Sequence, residues 1–322
     1  YQDANRDPAG IDRLKGRLYR VRYKETPRAK SENLAELSNE DLVMELGSGN
    51  GYRRDIAQRL LTERLWADGD HSKLCENMEV GMFMPGPDIG WKNSLNTLLS
   101  VGKLRPEVAL QVLKGDSIEA ARARVVRSAG DMAELPEAMA TAIFELRRDP
   151  SPVVRVQVAI AASKQKTIPA IPTLIAVLAQ AGNDPLAPRI VWQNLHPRLE
   201  AGTAEFVAEI QKDRNGDTGQ YPQPIIDILP RAADRILSGA KPDTVAVAQL
   251  LTILLASEST DEPANRCLQL LTARVRSGEI TGDSLTALRS QLETTLAASM
   301  RNNLARPSTV SAIELAASLQ IK

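Results

Sequence analysis

Four arginines recur along this chain, each opening a similar short apolar segment: Arg54, Arg122, Arg155 and Arg189. The steps from Arg122 to Arg155 and on to Arg189 are 33 and 34 residues. The step from Arg54 to Arg122 is 68, two such units with one lacking its arginine. Three positions after each arginine stands an apolar or aromatic residue: Ala57, Val125, Val158 and Trp192. Before each lies a turn: Gly49-Asn50-Gly51, Gly115-Asp116-Ser117, Asp149-Pro150 and Asp184-Pro185. Self-similarity at such a period is the signature of a solenoid, whose units bury their apolar faces only by stacking on one another. Repeats build surfaces, and no cluster of residues here declares a reaction.

Composition agrees with helices. Aromatics are 3% of the 322 residues, whereas strands favour aromatic and β-branched side chains. Lys plus Arg and Asp plus Glu both number 40, for a formal net charge of +0. A nucleic-acid partner calls for a basic stripe, so neutrality argues against one. Cys75 and Cys267 are too few and too far apart for a disulfide framework or a zinc site. The longest apolar run, Val245 to Ala256, falls short of the roughly 20 residues of a membrane span. Neither an initiator Met nor a signal-peptide pattern opens the chain, and its last helical segment lacks a polar cap. Both ends are expected to continue into a longer polypeptide.

Three regions follow. Residues 1–35 differ from the rest: Leu18-Tyr19-Arg20-Val21-Arg22-Tyr23 alternates apolar and basic residues, the period of a half-buried strand. A lone strand must pair with something, so its sheet is expected upstream. Helix pairs are expected over 36–198. Ser38 and Asp41 form a capping-box variant ahead of Leu42, Val43 and Leu46, and a second helix runs from about Tyr52 to Trp66. Residues 67–90 interrupt the pattern with Gly69, Gly81, Gly90 and Pro85-Gly86-Pro87, and the missing arginine should fall near Asp88. This stretch reads as an irregular insertion. Its Met78, Met82, Phe83 and Met84 plug a gap between helix pairs or, as long irregular loops often do, meet a partner. Residues 199–322 read as further helical repeats, from Thr203 to Leu319. The fold class is therefore all-α, an α-solenoid of helix pairs with a short N-terminal strand segment.

The recurring arginines need a tertiary reason, because a cation in the first helical turn opposes the helix dipole. A guanidinium fork can bond a neighbouring turn's carbonyls or Asp while its stem packs on the next repeat. All four are thus expected to form a structural ladder, with a row of anion sites as the alternative.

The spacing resembles HEAT repeats and their Asp-Pro-x-Val-Arg-x-x-Ala core. The best copies are Asp149-Pro150-Ser151-Pro152-Val153-Val154-Arg155-Val156-Gln157-Val158-Ala159 and Asn50-Gly51-Tyr52-Arg53-Arg54-Asp55-Ile56-Ala57. A narrower resemblance lies in Gly16-Arg17-Leu18-Tyr19-Arg20-Val21 and in the run from Leu42-Val43-Met44-Glu45 through Gln58-Arg59-Leu60-Leu61. These are similar to the propeller-closing strand and the first helix pair of the planctomycete-type putative membrane-bound dehydrogenases. Leu104-Arg105-Pro106-Glu107-Val108 and Ile190-Val191-Trp192-Gln193-Asn194-Leu195 fit the same array. In that family a sorbosone-dehydrogenase-like β-propeller precedes HEAT-like repeats and a haem-binding cytochrome c domain. The resemblance covers about residues 10–200. It implies that 1–35 is the tail of an upstream propeller plus a linker. It also implies a periplasmic or cell-envelope location, with haem and a propeller-bound cofactor elsewhere in the parent polypeptide. The haem motif Cys-x-x-Cys-His is absent here, so no catalytic, cofactor or metal residue carries over.

The implied function is a non-catalytic scaffold or docking segment of a larger exported dehydrogenase-like polypeptide. Its partners would be other domains of that polypeptide or a separate protein. The alternatives are an independent lyase-type enzyme built on such repeats and a nucleic-acid-binding solenoid. Individual candidates for chemistry are weak. His71 with Asp68, Asp70 and Cys75 offers ligand types without a metal spacing. His196 has no nucleophile or carboxylate beside it in sequence. Asp213, Asn215 and Asp217 imitate a calcium loop but lack its Gly and Glu positions. Arg17, Arg20, Arg22, Lys24, Arg28 and Lys30 read as a solvated strand face and linker.

Overall fold

The computed structural model describes residues 21, 23–27, 32–83, 88–115, 118–212, 220–239, 242–256, 258–301 and 306–321. Among them the chain is all helical, with sixteen α-helices and no strand. The expected strand lies mostly outside the described residues; within it, Val21 and Tyr23 are exposed and non-helical, and neither is paired in a sheet. The calcium-loop imitation at Asp213–Asp217 also lies outside them, as does most of the basic run.

The helices form eight consecutive pairs. The first four are α1 Asn39–Glu45 with α2 Gly51–Trp66, α3 Ser72–Phe83 with α4 Asp88–Ser100, α5 Pro106–Lys114 with α6 Glu119–Gly130, and α7 Glu137–Glu145 with α8 Pro152–Lys164. The others are α9 Ala170–Ala179 with α10 Ala187–Leu195, α11 Leu199–Lys212 with α12 Gln223–Leu237, α13 Thr244–Leu255 with α14 Asp261–Arg276, and α15 Gly282–Ser299 with α16 Pro307–Leu319. Second helices stack on second helices (α2 on α4, α6 on α8, α12 on α14, α14 on α16), and first on first (α9 on α11, α13 on α15). This double row is the solenoid that the arginine period anticipates.

Local chemistry sets the helix starts. Ser38 Oγ accepts from the Asp41 amide at 3.0 Å and donates to its carboxylate at 2.7 Å, capping α1. Asn50 Oδ1 caps α2 through the Tyr52 amide, and Asp243 Oδ1 caps α13 through Ala246. Pro106, Pro152 and Pro307 each open a helix where a missing N–H costs nothing. In α9 the residues Ile171 and Thr173–Leu178 are all buried, because α8, α10, α11 and α12 surround it.

The described residues of 67–90 are mostly helical, which corrects the expected irregular insertion. They hold α3 and the start of α4, which pack on each other and on α1 and α2. No unit is lost from the array; one unit lacks the arginine. The buried stripe of α3 is Leu74, Cys75, Met78 and Glu79, at helical spacing but with only one strongly apolar aliphatic residue. Glu79 is admitted to the interior by Arg105, whose Nε donates to Glu79 Oε2 at 2.6 Å and whose backbone N–H reaches Oε1 at 3.1 Å. That pair ties α3 to the entry of α5.

Candidate functional site

Three of the repeat arginines form the expected structural contacts. Arg155 Nη1 donates to the carbonyls of Asp149 at 2.7 Å and Pro150 at 3.0 Å, and its Nη2 reaches Gln180 O, ahead of α10, at 3.0 Å. Arg54 Nη1 repeats the first of these contacts on Ser48 O at 2.7 Å, again six residues upstream. Arg122 instead grips the next unit's turn: its Nε and Nη2 meet the two Asp149 carboxylate oxygens at 2.8 and 3.0 Å. Asp149 Oδ1 also accepts the Ser151 amide at 2.8 Å, and Ser151 Oγ donates to Glu119. The turn before α8 is thus held from both sides by charge-assisted bonds in a site of low exposure.

Arg189 departs from the ladder. It is exposed. Arg54, Arg122 and Arg155 each stand fourth in their helices, whereas Arg189 stands third, because α10 begins at Ala187. One residue rotates a helical side chain by about 100°, away from the neighbouring turn. Asp184 has taken over that turn, accepting from the Leu186 and Ala187 amides at 2.7 and 3.3 Å.

The opposite ends of these helices are tied as well. Gln165 Nε2 donates to the carbonyls of Ala129, Gly130 and Met132 at the end of α6. Arg198 Nη2 bonds Ser163 O at the end of α8 at 2.7 Å. Start is tied to start and end to end, so α6, α8 and α10 run parallel.

The same repeat leaves a row of large apolar side chains in solvent. Tyr52, Ile118, Val153 and Leu186 stand at or just before the starts of α2, α6, α8 and α10, with exposures between 47% and 68%. Scattered apolar residues on a surface are ordinary. Tyr52 and Val153 stand second in their helices and Ile118 and Leu186 just ahead of theirs, so the parallel α6, α8 and α10 gather apolar side chains at one end without sharing a register.

The Met-rich candidates separate. Met78 is fully buried core, while Met84 lies outside the described residues. Met82 and Phe83, at the end of α3, line a cavity of about 360 Å³ with Trp91 of α4 and Val112, Ile118 and Ala121 of the following pair. Gln111 is the polar side chain of its wall. Trp91, Gln111 and Ile118 carried no signal in the sequence, because a cavity depends on where two helices diverge and not on any local pattern.

The lesser candidates resolve into ordinary structure. Asp70 caps α3 through the Ser72 amide at 2.9 Å, and these bonds to Ser72 hold its carboxyl below the ordinary range. His71 Nε2 lies 2.6 Å from Ala67 O, and Cys75 points into the core. Among the described residues no group of three His, Cys, Asp or Glu side chains is placed to hold a metal ion. His196 ends α10 with its ring edge-on to Trp192, centroids 5.4 Å apart. Both line an open polar cleft of about 430 Å³ with Arg231, Asp234 and Arg235 of α12 and Ser238 just after it. Arg231 lies over the Trp192 ring at 4.4 Å, Arg235 reaches Glu200 at 3.1 Å, and Arg274 reaches Asp234 at 2.7 Å. The charges there are largely spent on one another.

Burial pushes the Cys267 thiol up to about 12, and the side chain has no exposure. Disulfide-exchange reagents attack through the thiolate. Labelling at pH 8 is therefore expected to leave Cys267 unmodified until denaturant is added. Mass-spectrometric mapping of the labelled cysteine checks this, and fast labelling of the native protein would show that α14 is not buried as described.

Comparison with family models and with curated proteins finds no match for this chain.

Proposed function

We propose that this chain is a non-catalytic helical-repeat scaffold, the docking segment of a larger exported dehydrogenase-like polypeptide. Its role is geometric. The stack holds a propeller domain at a fixed distance from its electron acceptor, and it does so through the apolar edge at the starts of its second helices. The observation that carries this reading is the contrast, at the starts of α6 and α8, between arginines spent on joints and apolar side chains left in solvent. Arg122 and Arg155 are consumed in joining units, while Ile118 and Val153 near them, and Leu186 at the next helix start, are left exposed. An apolar row along a rigid edge suits a partner that buries it, since each large side chain withdrawn from water is worth about 1.5–3 kcal/mol. The dehydrogenase association rests on the resemblance of the segments around Gly16–Val21 and Leu42–Leu61.

The test uses the full polypeptide carrying Val153→Asp together with Leu186→Asp. Both positions face solvent near helix starts, where an acidic residue suits the dipole. The melting temperature and the cofactor content of the upstream domain are expected to stay unchanged. Electron transfer to the acceptor, or association with the partner domain, is expected to fall by about tenfold or more. Unchanged transfer and assembly would contradict the reading, as would a coding sequence with no propeller upstream of this segment.

A further inference from the structure

The cavity at the end of α3 opens to solvent between two successive helix pairs. Its volume, about 360 Å³, lies in the range of small-molecule sites. Its walls explain why it stays open. α6 packs against α8 so closely that Gly130 and Ala161 touch backbone to backbone. On the cavity side α6 offers only the short Ala121, and the preceding turn offers Gly115, which has no side chain. Met82, Phe83, Trp91, Val112 and Ile118 supply the rest of an apolar lining that includes two aromatic rings and a thioether. Aromatic faces and a polarizable Met suit a flat, unsaturated body. Phe83 and Ile118, each about half exposed, stand at the mouth.

Polar character at the site is sparse and of one kind. The described lining holds no charged side chain. Lys92 lies beside it, its Nζ 5.7 Å from the centroid of the Trp91 ring. The Gln111 amide offers the wall a donor as well as an acceptor. An ammonium beside a cavity whose described lining is apolar apart from Gln111 favours a ligand whose polar end is negative.

We propose that this cavity binds a flat, apolar small molecule carrying one negative charge. The body lies between Trp91, Phe83 and Ala121, and the anionic group sits at the mouth beside Lys92 and Gln111. This is a ligand site on the stack, separate from the domain docking proposed above, and neither depends on the other.

Two fluorescent probes with the same ring system test it on the full chain: 8-anilinonaphthalene-1-sulfonate and its uncharged analogue N-phenyl-1-naphthylamine. The sulfonate is expected to saturate at about one equivalent with a Kd on the order of 10 μM, quenching Trp91, and to bind about fivefold more tightly than the neutral probe. Lys92→Gln should bring the two probes to parity. Ala121→Leu should abolish binding of both by filling the cavity. Since Ala121→Leu can also strain α6, Ile118→Trp, which closes the mouth from an exposed position, provides a second block that leaves the core untouched. The proposal is overturned if neither probe saturates, if both blocking variants bind as the parent does, or if the sulfonate shows no preference that Lys92→Gln removes.

Discussion

Asp149→Ala is expected to destabilise the centre of the stack by about 3–5 kcal/mol, the cost of removing one partner from a buried ion pair. Asp149 is 6% exposed, and the Arg122 side chain that grips it is 13% exposed. The substitution therefore takes the carboxylate away from a guanidinium with little access to water. It also removes the cap on the Ser151 amide at the start of α8. Asp149→Asn keeps an oxygen for that amide and should lose about half as much. A repeat array can unfold in segments. The loss is best read by hydrogen exchange of α6 and α8 together with urea unfolding, and exchange should accelerate there before it does in α14 and α16. A change below about 0.5 kcal/mol, typical of an exposed pair, would mean that the turn is not buried as described.

The second large effect is expected at Gly130, the last residue of α6. A Cβ there would lie 3.2 Å from Ala161 Cα and 3.3 Å from its Cβ. Gly130→Ala gains about 1 kcal/mol of helix propensity and loses a similar amount to crowding, so its net effect should be small. Gly130→Leu has no such compensation. It should force α6 and α8 apart at a cost of about 1–3 kcal/mol and loosen the three Gln165 bonds that close the end of α6. Thermal unfolding of the two variants checks the contrast. Equal stability of both would contradict the close approach of these helices.

Much of this architecture was legible in the sequence for a physical reason. The turn before each second helix must be tight, and the residues that make it tight (Asp149-Pro150, Asn50-Gly51) are few and conspicuous. Arg54 and Arg155 follow their turns at a fixed offset because they bond the turn's carbonyls, at Ser48 and Asp149, while Arg122 keeps the offset and reaches the next turn. What the period did not convey is where it fails. Arg189 sits at the right interval, yet α10 begins closer to it, and a single residue of register turned it into solvent.

The third and fourth helices were obscured by their own composition. Glycines at 81 and 90 weaken the helical pattern, and two of the four buried positions in α3 are Cys75 and Glu79. Glu79 is inside only because Arg105, 26 residues on, pairs with it, and pairing across that separation leaves no local trace. The cavity beside Trp91 was illegible for the same reason, since it arises from the small size of Ala121 and Gly115 opposite a neighbouring unit.

The measurement that tests the central claim most directly is a double-mutant cycle on Arg122 and Asp149, using Arg122→Met, Asp149→Ala and the pair. If the recurring arginines are the joints of the scaffold, the two side chains should couple by about 1.5–3 kcal/mol, with the same value in the presence of millimolar phosphate. Coupling near zero, or an Arg122 that gains stability from phosphate once Asp149 is removed and loses none without it, would make the ladder a row of anion sites and contradict the structural role assigned to it.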